Sequence, residues 1–183
     1  MWHSAQGLSA FLRAYYHVKS ADWVANQPHP LKAWQAEELA KLPHYYVMPN
    51  GQTMAQAVAA HAPSEENVAH CEWLTDDDLA VYVAAYQARG FQGGLQWYRC
   101  ATSLSQFETM SRYGGQTIDV PSAYIAGAAD WGVYQFPGAL EKMKAQACKD
   151  MRFINLIPNA GHWVQQEQPA AVNQLLIGFL RSL

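Results

Sequence analysis

Charge is scarce in this chain. Only 15% of its 183 residues are Asp, Glu, Lys or Arg, and the net charge is −3. No segment is strongly basic, so nothing in the sequence attracts a phosphate backbone, and no polybasic tail addresses a membrane surface. Neither a nucleic-acid nor a membrane partner is expected. Cysteine is scarce too. Cys71, Cys100 and Cys148 stand far apart, and the lack of a C-x-x-C spacing argues against a zinc or redox motif. Three cysteines without a disulfide framework fit a reducing, cytoplasmic compartment. No stretch approaches the ~18 apolar residues that span a bilayer. Met1 to Leu12 shows no basic region followed by a long apolar run, so no signal peptide is read there. His61, His70 and Cys71 are close in sequence but have no ligand-like pattern. The expectation is no metal and no organic cofactor.

What the chain has is apolar and aromatic surface. Half of its residues are hydrophobic, and it holds seven Trp and ten Tyr. Rings at that density fill a core or line a pocket. The length suits one ordinary domain with a real core.

The two parts of the chain read differently. Residues 1 to about 112 read as helix and loop. Ser9 is placed to cap a helix through Tyr16, with Phe11, Leu12, Tyr15 and Tyr16 at helical spacing. Gln27-Pro28-His29-Pro30 is a breaker. Helices are predicted over Ala36–Lys41 and Met54–Ala60. Thr75 before Asp76, Asp77 and Asp78 is a strong helix start, carried by a hydroxyl cap and by acids at the positive helix end. These four residues are read as structural. That helix should end near Gly90. Gly93-Gly94 reads as a turn, with a new helix from about Leu95.

From about residue 117 the order is strand, helix, strand, helix. Val120–Ala126 reads as a buried strand and Met151–Ile157 as a second, apolar one, with Gly138–Lys149 as the helix between them and Pro169–Leu180 as the last helix. This order predicts parallel strands of an α/β sheet, because a parallel pair needs a crossover. Two strands alone do not make a stable sheet.

Open α/β sheets carry their chemistry on loops beyond the carboxyl ends of strands. Here those loops hold Asp130 and His162. Alone, such an Asp is most often a turn former or cap, and such a His a surface or core residue. As a pair on neighbouring strands they can hydrogen-bond, with the carboxylate setting the imidazole tautomer. Acid then histidine is also their order along an α/β-hydrolase triad.

Gly127-Ala128-Ala129-Asp130, and Asn159-Ala160-Gly161-His162-Trp163 followed by Gln166-Glu167-Gln168-Pro169, resemble the end of an α/β-hydrolase of the epoxide-hydrolase branch. Phe91-Gln92-Gly93-Gly94-Leu95-Gln96-Trp97-Tyr98-Arg99 resembles the end of that family's cap. The resemblance implies an incomplete α/β-hydrolase fold: a helical cap over residues 1–112, then a βαβα C-terminal part of the core over 113–183, with parallel strands. It implies Asp130 as triad acid, His162 as base and Tyr98 as a donor to the epoxide oxygen. Trp97, Trp131 and Trp163 would line a pocket for a small apolar substrate or pack cap against core. Tyr15, Tyr16, Tyr45 and Tyr46 match no family position and read as packing or pocket-lining residues. The family's nucleophile is an Asp on a sharp strand-to-helix turn, and its oxyanion hole comes from a His-Gly-x-Pro loop. The sequence contains no Gly-x-Ser-x-Gly, Gly-x-Asp-x-Gly, Gly-x-Cys-x-Gly or His-Gly-x-Pro. A weakly active or inactive chain is therefore expected. Two alternatives stay open. One is a related hydrolase such as a dehalogenase or esterase. The other is a non-catalytic truncated relative that forms a homo-oligomer or pairs with a missing N-terminal half.

Overall fold

The computed structural model describes residues 3–183; Met1 and Trp2, the start of the segment read for a leader, lie outside the described residues. Seven helices come first: α1 (Leu8–His17), α2 (Ala36–Leu39), α3 (Met54–Ala59), α4 (Glu65–His70), α5 (Asp76–Arg89), α6 (Gln92–Thr102) and α7 (Leu104–Ser111). Strand β1 (Ile118–Gly127), short helices α8 (Trp131–Tyr134) and α9 (Ala139–Lys142), strand β2 (Cys148–Ile157) and helices α10 (Val164–Glu167) and α11 (Pro169–Arg181) follow. None of the described helices is long and apolar enough to cross a membrane.

The caps explain several boundaries. Thr75 accepts from the Asp78 amide while the Asp78 carboxylate accepts from the Thr75 amide, a reciprocal box that opens α5. Gly90 ends the same helix. Ser64 with Asn67 builds the same device for α4, an element the sequence reading missed. Ser9 does not cap α1. The helix starts one residue before it, and Gly7 occupies the cap position.

Further boundaries differ from expectation. Gly93 and Gly94 sit inside α6 rather than in a turn: α6 begins at Gln92, and the break from α5 falls at Gly90 and Phe91. Both glycines are in open space, so the helix tolerates them without contact. The helix expected over Gly138–Lys149 is α9 continued by a π-helical turn, Met143–Ala147. It gives way at Cys148, whose backbone is already extended and paired with Ile118.

Strands β1 and β2 pair in parallel, with Tyr124 opposite Ile154 and Gly127 opposite Ile157. The expected order of strands and helices is thus present, and both carboxyl ends lie side by side. A first core gathers Phe11, Leu12, Ala14, Tyr16 and Val18 with Ala55, Val58, Leu74 and Leu79. A smaller one joins Ile157, Ala160 and Val164 to Ala171, Val172 and Leu175, seating α11 on the sheet. Trp163 packs against the first core from the loop after β2, so the two parts of the chain meet there.

Candidate active site

The site begins where the two strands end. The Ala128 amide donates to the Ile157 carbonyl at 2.8 Å, and the Ala129 amide to the Ala160 carbonyl at 2.9 Å. These bonds hold the two loops in register. They cross so closely that a Cβ on Gly127 would lie 2.1 Å from the Gly161 carbonyl oxygen and 2.3 Å from that of Ala160. Only glycine admits this approach. Asn159 takes a left-handed conformation (φ 55°) at the turn, one that Asn tolerates better than most residues.

Two side chains face each other across this crossing. His162 Nδ1 lies 3.2 Å from Asp130 Oδ1 and 3.3 Å from Oδ2. Asp130 also caps α8, its Oδ1 accepting from the Gly132 amide at 2.8 Å. One carboxylate thus makes both the helix cap and the contact to His162. Burial works to raise the pKa of Asp130. The His162 hydrogen bond and charge, the Gly132 amide and the Lys19 ammonium together outweigh burial and hold the carboxyl below its usual range. It therefore stays an anion at neutral pH. Donation from Nδ1–H to that anion leaves Nε2 as the acceptor, the arrangement a general base needs.

The loop before α2 ties this pair down, and sequence reasoning did not find it. The His162 amide donates to the Lys19 carbonyl at 2.8 Å. Asn26 Nδ2 donates to the Ala129 carbonyl at 2.8 Å, beside the acid. Glu167 collects three amides: Ala21 and Gly161 on Oε2, each at 2.8 Å, and Trp163 on Oε1 at 3.0 Å. Burial pushes the Glu167 carboxyl up, while the three amides pull it down by less. Glu167 belongs to the Glu-x-Pro motif, so the sequence carried a signal without revealing what the carboxylate holds. Asn26 and Lys19 carried none, since their partners are more than a hundred residues away.

Trp163, next to His162, also walls a cavity of about 470 Å³, together with Tyr15, Tyr16, Lys19, Tyr45 and Tyr46, with Tyr98 of α6 on the same wall. Trp163 packs its ring 4.4 Å from that of Tyr16, and its Nε1 donates to the Tyr16 carbonyl at 2.9 Å. The structure thus brings Asp130, His162 and Trp163 together; Trp163 and Tyr98 line the cavity while Asp130 and His162 stand outside its lining, and 62% of Tyr98 is exposed. It places two candidates elsewhere. Trp97 is 79% exposed and lies outside the lining, one position round the helix from Tyr98. Trp131 is buried with Leu31 and Leu42 in a separate core. Tyr15, Tyr16, Tyr45 and Tyr46 all line the cavity.

No protein-family model matches the chain. Individual relatives do. Epoxide hydrolase A of Mycobacterium tuberculosis is 38% identical over 111 residues, covering 61% of this chain and 33% of that protein. An epoxide hydrolase of Caballeronia sordidicola is 35% identical over the same shares of both chains. Among solved structures, an epoxide hydrolase from an endophytic Streptomyces superposes with a TM-score of 0.72 at 25% identity, covering 96% of this chain and 46% of that one. The chain is similar to the C-terminal part of an epoxide-hydrolase-like α/β-hydrolase. Epoxide Hydrolase A from Mycobacterium thermoresistibile superposes with a TM-score of 0.65 at 29% identity, over 94% of this chain and 46% of its own. This epoxide-hydrolase-like chain therefore spans about a third of the length of these curated relatives and just under half of these solved structures. Its fold is an incomplete α/β-hydrolase fold.

Proposed function

We propose that this chain supplies the water-activating part of an epoxide hydrolase, with Asp130 and His162 as acid and base of the triad and Tyr98 as the oxygen-protonating donor. The observation that carries this reading is the Asp130–His162 pair at 3.2 Å, with the His162 ring against Trp163, which lines an aromatic cavity together with Tyr98. Epoxide hydrolases among the relatives and neighbours support the class of reaction. On this reading residues 1–112 act as a cap over a core that includes 113–183.

The chemistry divides into two steps. A carboxylate from outside this sequence attacks an epoxide carbon, forming an ester bond and breaking the carbon–oxygen bond of the ring. The released alkoxide takes the Tyr98 hydroxyl proton, a positioned donor for a strongly basic oxygen. His162 Nε2 then takes a proton from water and the resulting hydroxide adds to the ester carbonyl. Collapse breaks the ester carbon–oxygen bond, and the hydroxide's remaining proton passes to the leaving alkoxide to give the diol and the free carboxylate. The imidazolium proton returns through water to the Tyr98 phenolate. Asp130 balances the imidazolium so formed. The chain holds groups for the second step and for the donor of the first.

Styrene oxide turnover tests the division. The purified chain alone is expected to form no diol above the His162→Ala variant. Refolding it with the N-terminal portion of the Mycobacterium tuberculosis relative is expected to restore diol formation, and His162→Ala should then lower the rate at least ~100-fold. Restored turnover indifferent to His162 would overturn the assignment. Robust turnover by the chain alone would overturn the need for an outside nucleophile.

A further inference from the structure

One buried cation on the cavity wall, whose charge helps keep Asp130 ionised, touches no reacting group in that mechanism. Lys19 is 6% exposed, and its ammonium donates to the Tyr15 hydroxyl at 3.2 Å. Four rings surround it, with centroids at 4.9 Å (Tyr15), 5.4 Å (Tyr45), 5.6 Å (Trp163) and 5.8 Å (Tyr46). No described carboxylate lies within 4.0 Å of it, and Asp130, the acid whose charge it feels, is already engaged by His162. Burial pushes the Lys19 ammonium below its usual range. Ring faces offset only part of the cost of taking an ammonium from water. An anion in the cavity would supply the rest.

The rest of the wall suits such an anion. Tyr15, Tyr45, Tyr46 and Tyr98 line the same space. Burial pushes the first three phenols up, so at neutral pH they are hydrogen-bond donors and not negative charges. The cavity volume of about 470 Å³ is in the range of small-molecule sites, and most of its wall is ring or aliphatic carbon. An apolar body with one anionic oxygen group matches this wall better than an uncharged molecule does.

We propose that Lys19 makes this cavity selective for a ligand bearing a carboxylate, held by the ammonium, with its apolar body on the rings of Tyr45, Tyr46 and Trp163. The proposal deepens the hydrolase reading and rests on it for the cavity being the substrate pocket. It makes Lys19 a specificity residue and not a triad member. A charge-assisted bond of ~1.5–3 kcal/mol corresponds to a preference of about 10- to 150-fold.

The test uses two unreactive ligands of one shape, 4-phenylbutyrate and 4-phenylbutyramide, titrated calorimetrically into the full chain at neutral pH. The carboxylate is expected to bind at least ~10-fold more tightly. Lys19→Met should bring its affinity down to that of the amide and leave the amide within about twofold, while Lys19→Arg should keep the preference. Equal affinities in the wild type, no binding of either ligand, or a preference that survives Lys19→Met would each overturn the proposal. The wild-type comparison decides even if a variant misfolds. Neither ligand reacts, so failure here leaves the epoxide-hydrolase reading standing, and absence of diol formation leaves this result unaffected.

Discussion

Replacing Gly127 with alanine tests whether the crossing of the two loops builds the Asp130–His162 pair. The added Cβ would sit 2.1 Å from the Gly161 oxygen and 2.3 Å from the Ala160 oxygen. A carbon–oxygen contact settles at about 3.3 Å, so the loops must part by roughly 1 Å. Both obstacles are backbone atoms flanked by hydrogen bonds, and neither can rotate away. A shift of that size takes the 3.2 Å Asp130–His162 contact beyond hydrogen-bond reach and breaks the Ala129–Ala160 bond. Overpacking at ~1–3 kcal/mol plus a lost bond of ~1 kcal/mol gives about 3 kcal/mol. For a chain of this size that lowers the melting temperature by roughly 6–12 °C. The assay is thermal unfolding followed by circular dichroism, with imidazole proton NMR reporting His162. Gly93→Ala is the control, since its Cβ meets nothing within 4 Å, and it should be neutral or slightly stabilising. A Gly127→Ala chain that melts within about 2 °C of the wild type, with His162 resonances unchanged, would refute the reasoning.

Other predictions concern the same loops and the sheet. Glu167→Ala strands the amides of Ala21, Gly161 and Trp163, so a loss of about 2–4 kcal/mol is expected in urea unfolding. The two carboxylates give opposite pH dependences. Stability from ionised Asp130 is present above its ordinary value of 3.8 and is lost as pH falls through the lowered native value, so Asp130→Asn should flatten the acid limb of a stability–pH curve. Glu167 is raised, so its contribution is present below 4.5 and is lost as pH rises through the raised native value; Glu167→Gln should remove that decline. Ile118 and Val120 on β1, Leu104, Phe107 and Met110 on α7, and Leu176, Ile177 and Leu180 on α11 are exposed. Such apolar surface predicts self-association or pairing with an N-terminal half, read as a mass that rises with concentration in size-exclusion chromatography with light scattering. A concentration-independent monomer would count against it.

Local chemistry made much of this molecule legible. The Thr75–Asp78 box, the Gly90 stop and the Pro169 start are decided by residues within one helical turn, and each was readable. So were the two strands and the loops bearing Asp130 and His162, because apolar runs and their order along the chain carry that information. Not every slip was long-range: α4 was missed although its Ser64–Asn67 box is local, and Gly7 rather than Ser9 precedes α1. The helix before β2 yields to a π turn where Cys148 joins the strand ladder, and Gly93 and Gly94 are helical in α6, which Gly90 and Phe91 separate from α5. Glycine propensity and helical periodicity are weak beside such constraints.

By itself the sequence determined the types of residue available for catalysis, their order and their position after strands. Only the tertiary structure decided which of them meet. The Lys19 carbonyl holds the His162 amide, Asn26 holds the acid loop, Glu167 joins three amides, and Trp131 turns into a core while Trp163 faces the cavity. The partners in these contacts are separated by as many as 146 residues, as for Ala21 and Glu167. No local pattern encodes such a pairing, because it exists only once the chain has closed on itself and taken water away from both partners.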